Sequence, residues 1–171
     1  MKILFLDFDG VLNDNALLER VHEDYQSRGV RLDPHDTGRC LKHLDPVRCA
    51  RVQRIHEATG AALVLVTGWR RWHAHEVLTG FLRHHGLTAP VLHTVGGVKM
   101  SGDLRASASR DWLKEHREVT RHVVLDDDVD SWTAPWHRPW AGKLIHPVDG
   151  VEDSHVAEAI AYLNEDVPQM A

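Results

Sequence analysis

The sequence predicts an α/β fold built on a doubly wound parallel sheet, with helices on both faces. Three observations lead there. Apolar runs of strand length alternate with helical periodicity. Several of those runs are apolar on both sides, as strands covered on both faces must be. Three of them, Leu4-Phe5-Leu6, Leu63-Val64-Leu65-Val66 and Val123-Val124-Leu125, end in polar residues: Asp7/Asp9, Thr67, and Asp126/Asp127.

The first strand covers Ile3 to Phe8 and delivers two carboxylates one residue apart, then a glycine, in Asp7-Phe8-Asp9-Gly10. Two acids this close resist ionising together without a cation beside them. A divalent ion resolves the conflict, with Mg2+, which favours carboxylate and carbonyl oxygens, as the expected metal. The alternative is a plain surface turn after a core strand, since Asp-Gly is a common turn signal.

Residues 13–43 are rich in charge and turn formers and exceed an ordinary connection, which predicts a flap or minimal cap over the crevice. Within it Ala16–Val21 reads as a short helix or a hairpin arm. Asp45-Pro46 opens a helix, with Asp as N-cap and Pro in the first turn, and Gly60 closes it. Its apolar side is read as Val47, Ala50, Val52 and Ile55. Ala61–Val66 is the second strand, followed by Thr67-Gly68-Trp69-Arg70. The next helix carries Val77, Leu78, Phe81 and Leu82 and stops at Gly86; Pro90–His93 is a third strand. The stretch 96–105 reads as a loop, ahead of a helix from Ser107 to His116. Arg121–Leu125 is a strand ending in Asp126-Asp127-Asp128. Trp132, Trp136 and Trp140 lie in a Pro-containing loop, read as folded onto the core, with a stacking surface as the alternative. Lys143–Ile145 and an amphipathic helix with Val156, Ile160 and Leu163 complete the chain.

The bulk properties narrow the field. The 171 residues suit one domain. A net charge of −5 argues against a broad nucleic-acid-binding surface. Cys40 and Cys49 show neither metal-site nor disulfide-framework spacing and are expected as reduced thiols in a cytoplasmic protein. Asp7 and Asp9 interrupt any secretory apolar region, and no stretch is long enough to span a membrane. The pairs His73/His75 and His84/His85 are expected on a solvated helix face.

In a doubly wound sheet the three polar strand ends converge on one crevice. Acids from separate strands, a hydroxyl and a cationic side chain there suit phosphoryl transfer to a carboxylate. At this point the sequence resembles the haloacid-dehalogenase-like (HAD) phosphohydrolases, a Rossmannoid superfamily. Asp7-Phe8-Asp9-Gly10-Val11-Leu12 looks like their first motif, Thr67 the second, a basic residue ahead of the acidic strand the third, and Leu125-Asp126-Asp127-Asp128 the fourth.

The resemblance implies roles. Asp7 would be the nucleophile and Asp9 the general acid, then base. Mg2+ would be held by Asp7, the Asp9 carbonyl, Asp126 and Asp127, with Asp130 a substitute for the last. Thr67 would bind a phosphoryl oxygen beside Gly68; its other reading is a helix N-cap. The third-motif cation would be Arg105, with Lys99 its competitor; the loser would be a surface charge or a second substrate contact. Trp69-Arg70 resembles small HAD domains of RNA and DNA repair and phage proteins. That implies a nucleotide or polynucleotide phosphate end as substrate, with Arg70 on a second phosphate and Trp69 either packed under a helix or stacked on a base. Other readings are a sugar-phosphate phosphatase, or a catalytically silent binding module on the same fold. A dehalogenase would not need the acid at Asp9. A receiver domain places its acids in a different order.

Overall fold

The structure, a computed structural model, describes residues 1–31, 33–96, 105–133 and 140–165. Five strands, β1 (Lys2–Leu6), β2 (Ala62–Leu65), β3 (Val91–Thr94), β4 (Arg121–Leu125) and β5 (Lys143–Ile145), form an all-parallel sheet in the order β3-β2-β1-β4-β5. Around it lie α1 (Asn15–Ser27), α2 (Thr37–Lys42), α3 (Pro46–Thr59), α4 (His75–His84), α5 (Arg105–Glu115), α6 (Asp130–Thr133) and α7 (Asp153–Asn164), with a 3-10 turn at Gly68–Arg71.

Strand alternation sorts the core into two layers. Leu4, Leu6, Leu63, Leu65, Val123 and Leu125 pack on the side that holds Val52 and Ile55 of α3 and Val156 and Leu163 of α7. Ile3, Phe5, Val64 and Val124 face the other side, against Trp112 of α5 and Trp132 of α6. Each β1 residue from Ile3 to Leu6 is wholly buried, as expected of a central parallel strand.

The register positions the site. Leu6 pairs with Leu65 on one side and Leu125 on the other. The Asp7 N–H then donates to the Leu125 carbonyl at 3.0 Å, and the Val66 N–H to that of Leu6, also at 3.0 Å. Asp7, Asp126 and the Val66-Thr67 pair therefore leave the sheet level with one another. The chain builds outward from β1 through β2 to β3, then returns to start β4 on the opposite edge of β1. That reversal is the switch point where such sheets bind ligands.

Several boundaries differ from expectation. β1 stops at Leu6, because the chain turns while Phe8, Val11 and Leu12 continue into the core. The Val11 and Leu12 N–H groups both donate to the Phe8 carbonyl, and Gly10 at φ +65° makes the turn. In α3, Asp45 caps and Gly60 terminates as read, but Val47 and Ala50 are exposed, and the buried stripe is Arg48, Cys49, Val52 and Ile55. The stretch 13–43 contains two helices rather than a hairpin. Val21 and Tyr25 of α1 are buried, and the Tyr25 hydroxyl donates to Asp36, the N-cap of α2, at 3.3 Å. Trp132 sits in a short helix, wholly buried, and Trp140 packs edge-on against it with ring centres 4.7 Å apart. Trp136 lies outside the described residues. His73 is buried rather than solvated, with Nε2 3.3 Å from the Cys40 sulfur. His85 is half-buried against the Leu41 carbonyl, and His84 is exposed. Both cysteines are free thiols. Among the described residues, no helix is long and apolar enough to cross a membrane.

Candidate active site

The first residue past β1 and the first past β4 share a cation. Arg105, the first residue of α5, donates through Nη1 to Asp7 Oδ2 at 2.7 Å and to the two Asp126 oxygens at 2.7 and 2.8 Å. Asp7 Oδ1 accepts the Phe8 N–H at 2.7 Å. Asp126 also accepts from the Trp132 indole N–H at 2.8 Å and the Asp128 N–H at 2.9 Å. Both carboxylates are buried, with side chains only 2% and 0% exposed, so they are fixed in place and stripped of water.

Asp127 completes the cluster. One oxygen from each of Asp7, Asp126 and Asp127 lies within 4.8 Å of the others. Asp127 is pressed against Gly10, where a Cβ would fall 2.2 Å from Asp127 Oδ2. Asp130 is exposed at the start of α6 and stands outside this group. Asp128 instead caps α6 by accepting from the Ser131 N–H at 3.3 Å and its hydroxyl.

The electrostatics identify what the cluster lacks. Burial and the neighbouring Asp126 charge hold the Asp7 carboxyl well above the usual carboxylate range, against the pull of Arg105. Burial likewise raises Asp126, with Arg105 opposing it, and burial and the Asp126 charge raise Asp127. One guanidinium leaves three crowded carboxylates short of positive charge. An all-oxygen, acid-rich donor set with that deficit fits a hard divalent ion such as Mg2+.

Asp9 points elsewhere. Its Oδ1 accepts from the Asn13 side-chain amide at 3.0 Å and its Oδ2 from the Trp69 indole N–H at 2.8 Å. The Asn13 amide oxygen in turn accepts the Gly10 N–H at 2.8 Å, locking the turn. Asp9 forms part of the wall of a cavity of about 370 Å3 between α1, α2 and the 3-10 turn, together with His43, Trp69 and Trp72. Residues 13–43 thus supply much of the wall beside Asp9.

Thr67 is buried, and its hydroxyl accepts the Trp69 N–H at 3.3 Å, capping the 3-10 turn. An added Cβ at Gly68 would meet nothing within 4 Å, which leaves open space beside its backbone. Arg70 departs from expectation. It is 6% exposed and donates to the Thr67 and Val66 carbonyls at 2.7 and 3.2 Å, bracing the end of β2 instead of reaching toward a substrate. Lys99 lies outside the described residues.

Sequence reasoning overlooked the supports. Trp69 both packs, on Phe8 and Phe81, and holds Asp9. Asn13 sits four residues after Asp9, a spacing suited to an Asx side chain closing a turn. Trp132 orients Asp126 from a stretch read as loop.

No curated protein and no solved structure matches the chain. A family model described as "HAD domain in Swiss Army Knife RNA repair proteins" matches residues 3–156. With that match over nearly the whole chain, on a five-stranded parallel sheet whose switch point gathers Asp7 and Asp126, the chain belongs to this family of HAD domains.

Proposed function

We propose that the protein hydrolyses a phosphomonoester by way of a phosphorylated Asp7. The observation that carries this reading is the meeting of Asp7 and Asp126, distant in sequence, on one Arg105 nitrogen at 2.7 Å each, beside the Asp9 that borders a cavity.

Asp7 attacks phosphorus in line, its oxygen forming the new P–O bond as the ester P–O bond breaks. Asp9 gives its proton to the departing oxygen. Water then attacks the aspartyl phosphate, Asp9 takes a proton from it, and the Asp7–phosphorus bond breaks to release inorganic phosphate. Asn13 and Trp69 hold the Asp9 carboxylate at the cavity wall, the side from which the leaving group would depart in this reading. Arg105 offsets charge on Asp7 and on the transferring phosphoryl oxygens. Thr67 and the neighbouring backbone N–H groups receive a phosphoryl oxygen. Asp7, Asp126, Asp127 and the Asp9 carbonyl would hold Mg2+, which neutralises charge so that two anions can meet.

Membership of a family described by RNA repair proteins supports a nucleotide or polynucleotide phosphate end as the substrate. The test is phosphate release from a generic aryl phosphate with and without Mg2+, by the wild type and by Asp7→Asn. Release should require the metal and fall to background in the variant. Equal turnover by Asp7→Asn, or none by the wild type with Mg2+, would refute the reading.

A further inference from the structure

The cavity next to Asp9 has a composition the reaction itself does not require. At about 370 Å3 it is at the small end of ligand pockets, with room for one compact leaving group. The wall is aromatic and cationic. Trp69 has its indole nitrogen committed to Asp9, whereas Trp72 is 43% exposed. Among the lining residues Asp9 is the one carboxylate, and there is no Asn or Gln. A polyol would need several such acceptors and paired donors to satisfy its hydroxyls, so the lining argues against a sugar phosphate. His43 and His73 are held below the ordinary histidine range by burial. The His73 ring is engaged by the Cys40 sulfur and the Pro34 backbone, whereas a neutral His43 ring offers one donor and one acceptor, which suits the edge of a heterocycle.

Arg39 supplies the second observation. It lines this cavity half-buried, and its buried Nε has no acceptor among the described residues. The nearby cations Arg28 and Lys42 are both paired with Asp24; Arg39 enters no ion pair among the described residues. Asp36 lies near enough to feel the Arg39 charge and Asp9 shares its wall, yet neither pairs with it, so the guanidinium fork stays open to an incoming oxyanion such as phosphate.

We infer that this cavity receives the leaving nucleoside of a substrate that carries a second phosphate, with Trp72 as the stacking face for the base and Arg39 as the partner of that second phosphate. The second phosphate is either a terminal group or the diester link to the next nucleotide. The inference rests on the phosphohydrolase reading, because it assigns the cavity to the group that Asp9 protonates.

Binding tests it without turnover. In the Asp7→Asn protein with Mg2+, calorimetry would compare adenosine 3′,5′-bisphosphate, adenosine 3′-monophosphate, adenosine 5′-monophosphate and ribose 5-phosphate. The bisphosphate should bind about ten-fold tighter than either monophosphate, and Arg39→Ala should erase that difference. Trp72→Ala should weaken the three adenosine probes about ten-fold and leave ribose 5-phosphate unchanged. Both side chains are partly solvent-facing, so the variants should melt as their parent does. A bisphosphate preference that survives Arg39→Ala, or ribose 5-phosphate binding as tightly as the adenosine monophosphates, would overturn the assignment. A diester-linked dinucleotide with a terminal 3′-phosphate, matching the bisphosphate, would identify the second phosphate as the internucleotide link; markedly weaker binding would identify it as terminal. If the wild type releases phosphate from all four probes equally, the cavity assignment fails and the phosphohydrolase reading stands. If it hydrolyses none while the binding order holds, the reverse is true.

Discussion

Asp9 depends on two neighbours that contribute no chemistry themselves. The Asn13 amide and the Trp69 indole each take one of its oxygens, so the carboxylate has little freedom to turn. A hydrogen bond to a charged group contributes about 1.5–3 kcal/mol. Trp69→Phe keeps a ring against Phe8 and Phe81 but removes the N–H. Turnover of an aryl phosphate should fall roughly ten-fold or more in kcat, with KM little changed. Steady-state kinetics with a melting control measures this, and an unchanged kcat would mean that the indole does not position Asp9. The asymmetry in what the sequence disclosed has the same origin. The meeting of Asp7 and Asp126 was legible because strand-end logic depends only on local pattern. The Trp69–Asp9 bond depends on a side-chain rotamer across 60 residues, which no local pattern encodes. Arg70 misled for a related reason: beside Thr67 a cation looks like a phosphate contact, yet two carbonyls at the end of β2 were closer at hand.

At the scale of elements, helix ends were easier to read than helix faces. Asp45, Pro46 and Gly60 bound α3 through chemistry that acts within a turn. Its buried face was misjudged because an arginine occupies it. Arg48 is 8% exposed, donates to the Val151 carbonyl at 3.3 Å, and pairs with Asp14 at 2.5 Å. Asp14 is also the N-cap of α1, accepting the Leu17 N–H at 2.7 Å. One carboxylate thus starts α1 and anchors it to α3, and with it the cavity wall. Asp14→Ala should cost about 1–2 kcal/mol for the cap alone, and more because Arg48 is left short of its partner. Asp14→Asn should fall between, keeping the cap and losing the ion pair. The bond from Arg48 holds the Asp14 carboxyl below its ordinary range. Its contribution is therefore complete above the unfolded value near pH 4 and is lost as pH falls through the lowered folded value. Thermal melts of wild type and Asp14→Asn should differ at pH 7 and converge in strong acid. A constant gap across that range would dismiss the ion pair as its source.

Across the whole molecule, packing between distant segments decides which titrating groups lose contact with water. The doubly wound order was foreseeable from alternating elements, but which of the 14 histidines would be partly or fully buried was not, since burial comes from that packing. His43, His73, His85 and His122 are all held below the ordinary histidine range, in each case chiefly by burial. His122 is the clearest. Its ring lies 6.0 Å from Phe5 and 5.1 Å from Trp140, centre to centre. Gly142 closes on it so tightly that a Cβ there would sit 2.3 Å from the imidazole Cδ2. For a histidine lowered on folding, the stabilisation is complete above the unfolded value near 6.5 and is lost as pH falls through the folded value. The three site carboxyls run the other way. Raised on folding, they stabilise below the unfolded carboxylate value and lose that as pH rises through their own. Saturating Mg2+ should compensate the carboxylates and leave the histidine slope exposed, so Tm should fall on going from pH 7.5 to 5.5. His122→Leu keeps an apolar group between Phe5 and Trp140 and should flatten part of that fall. The difference between the two melting curves isolates the one ring, since every other titrating group is common to both. A slope identical in His122→Leu would show that His122 takes up its proton as readily folded as unfolded.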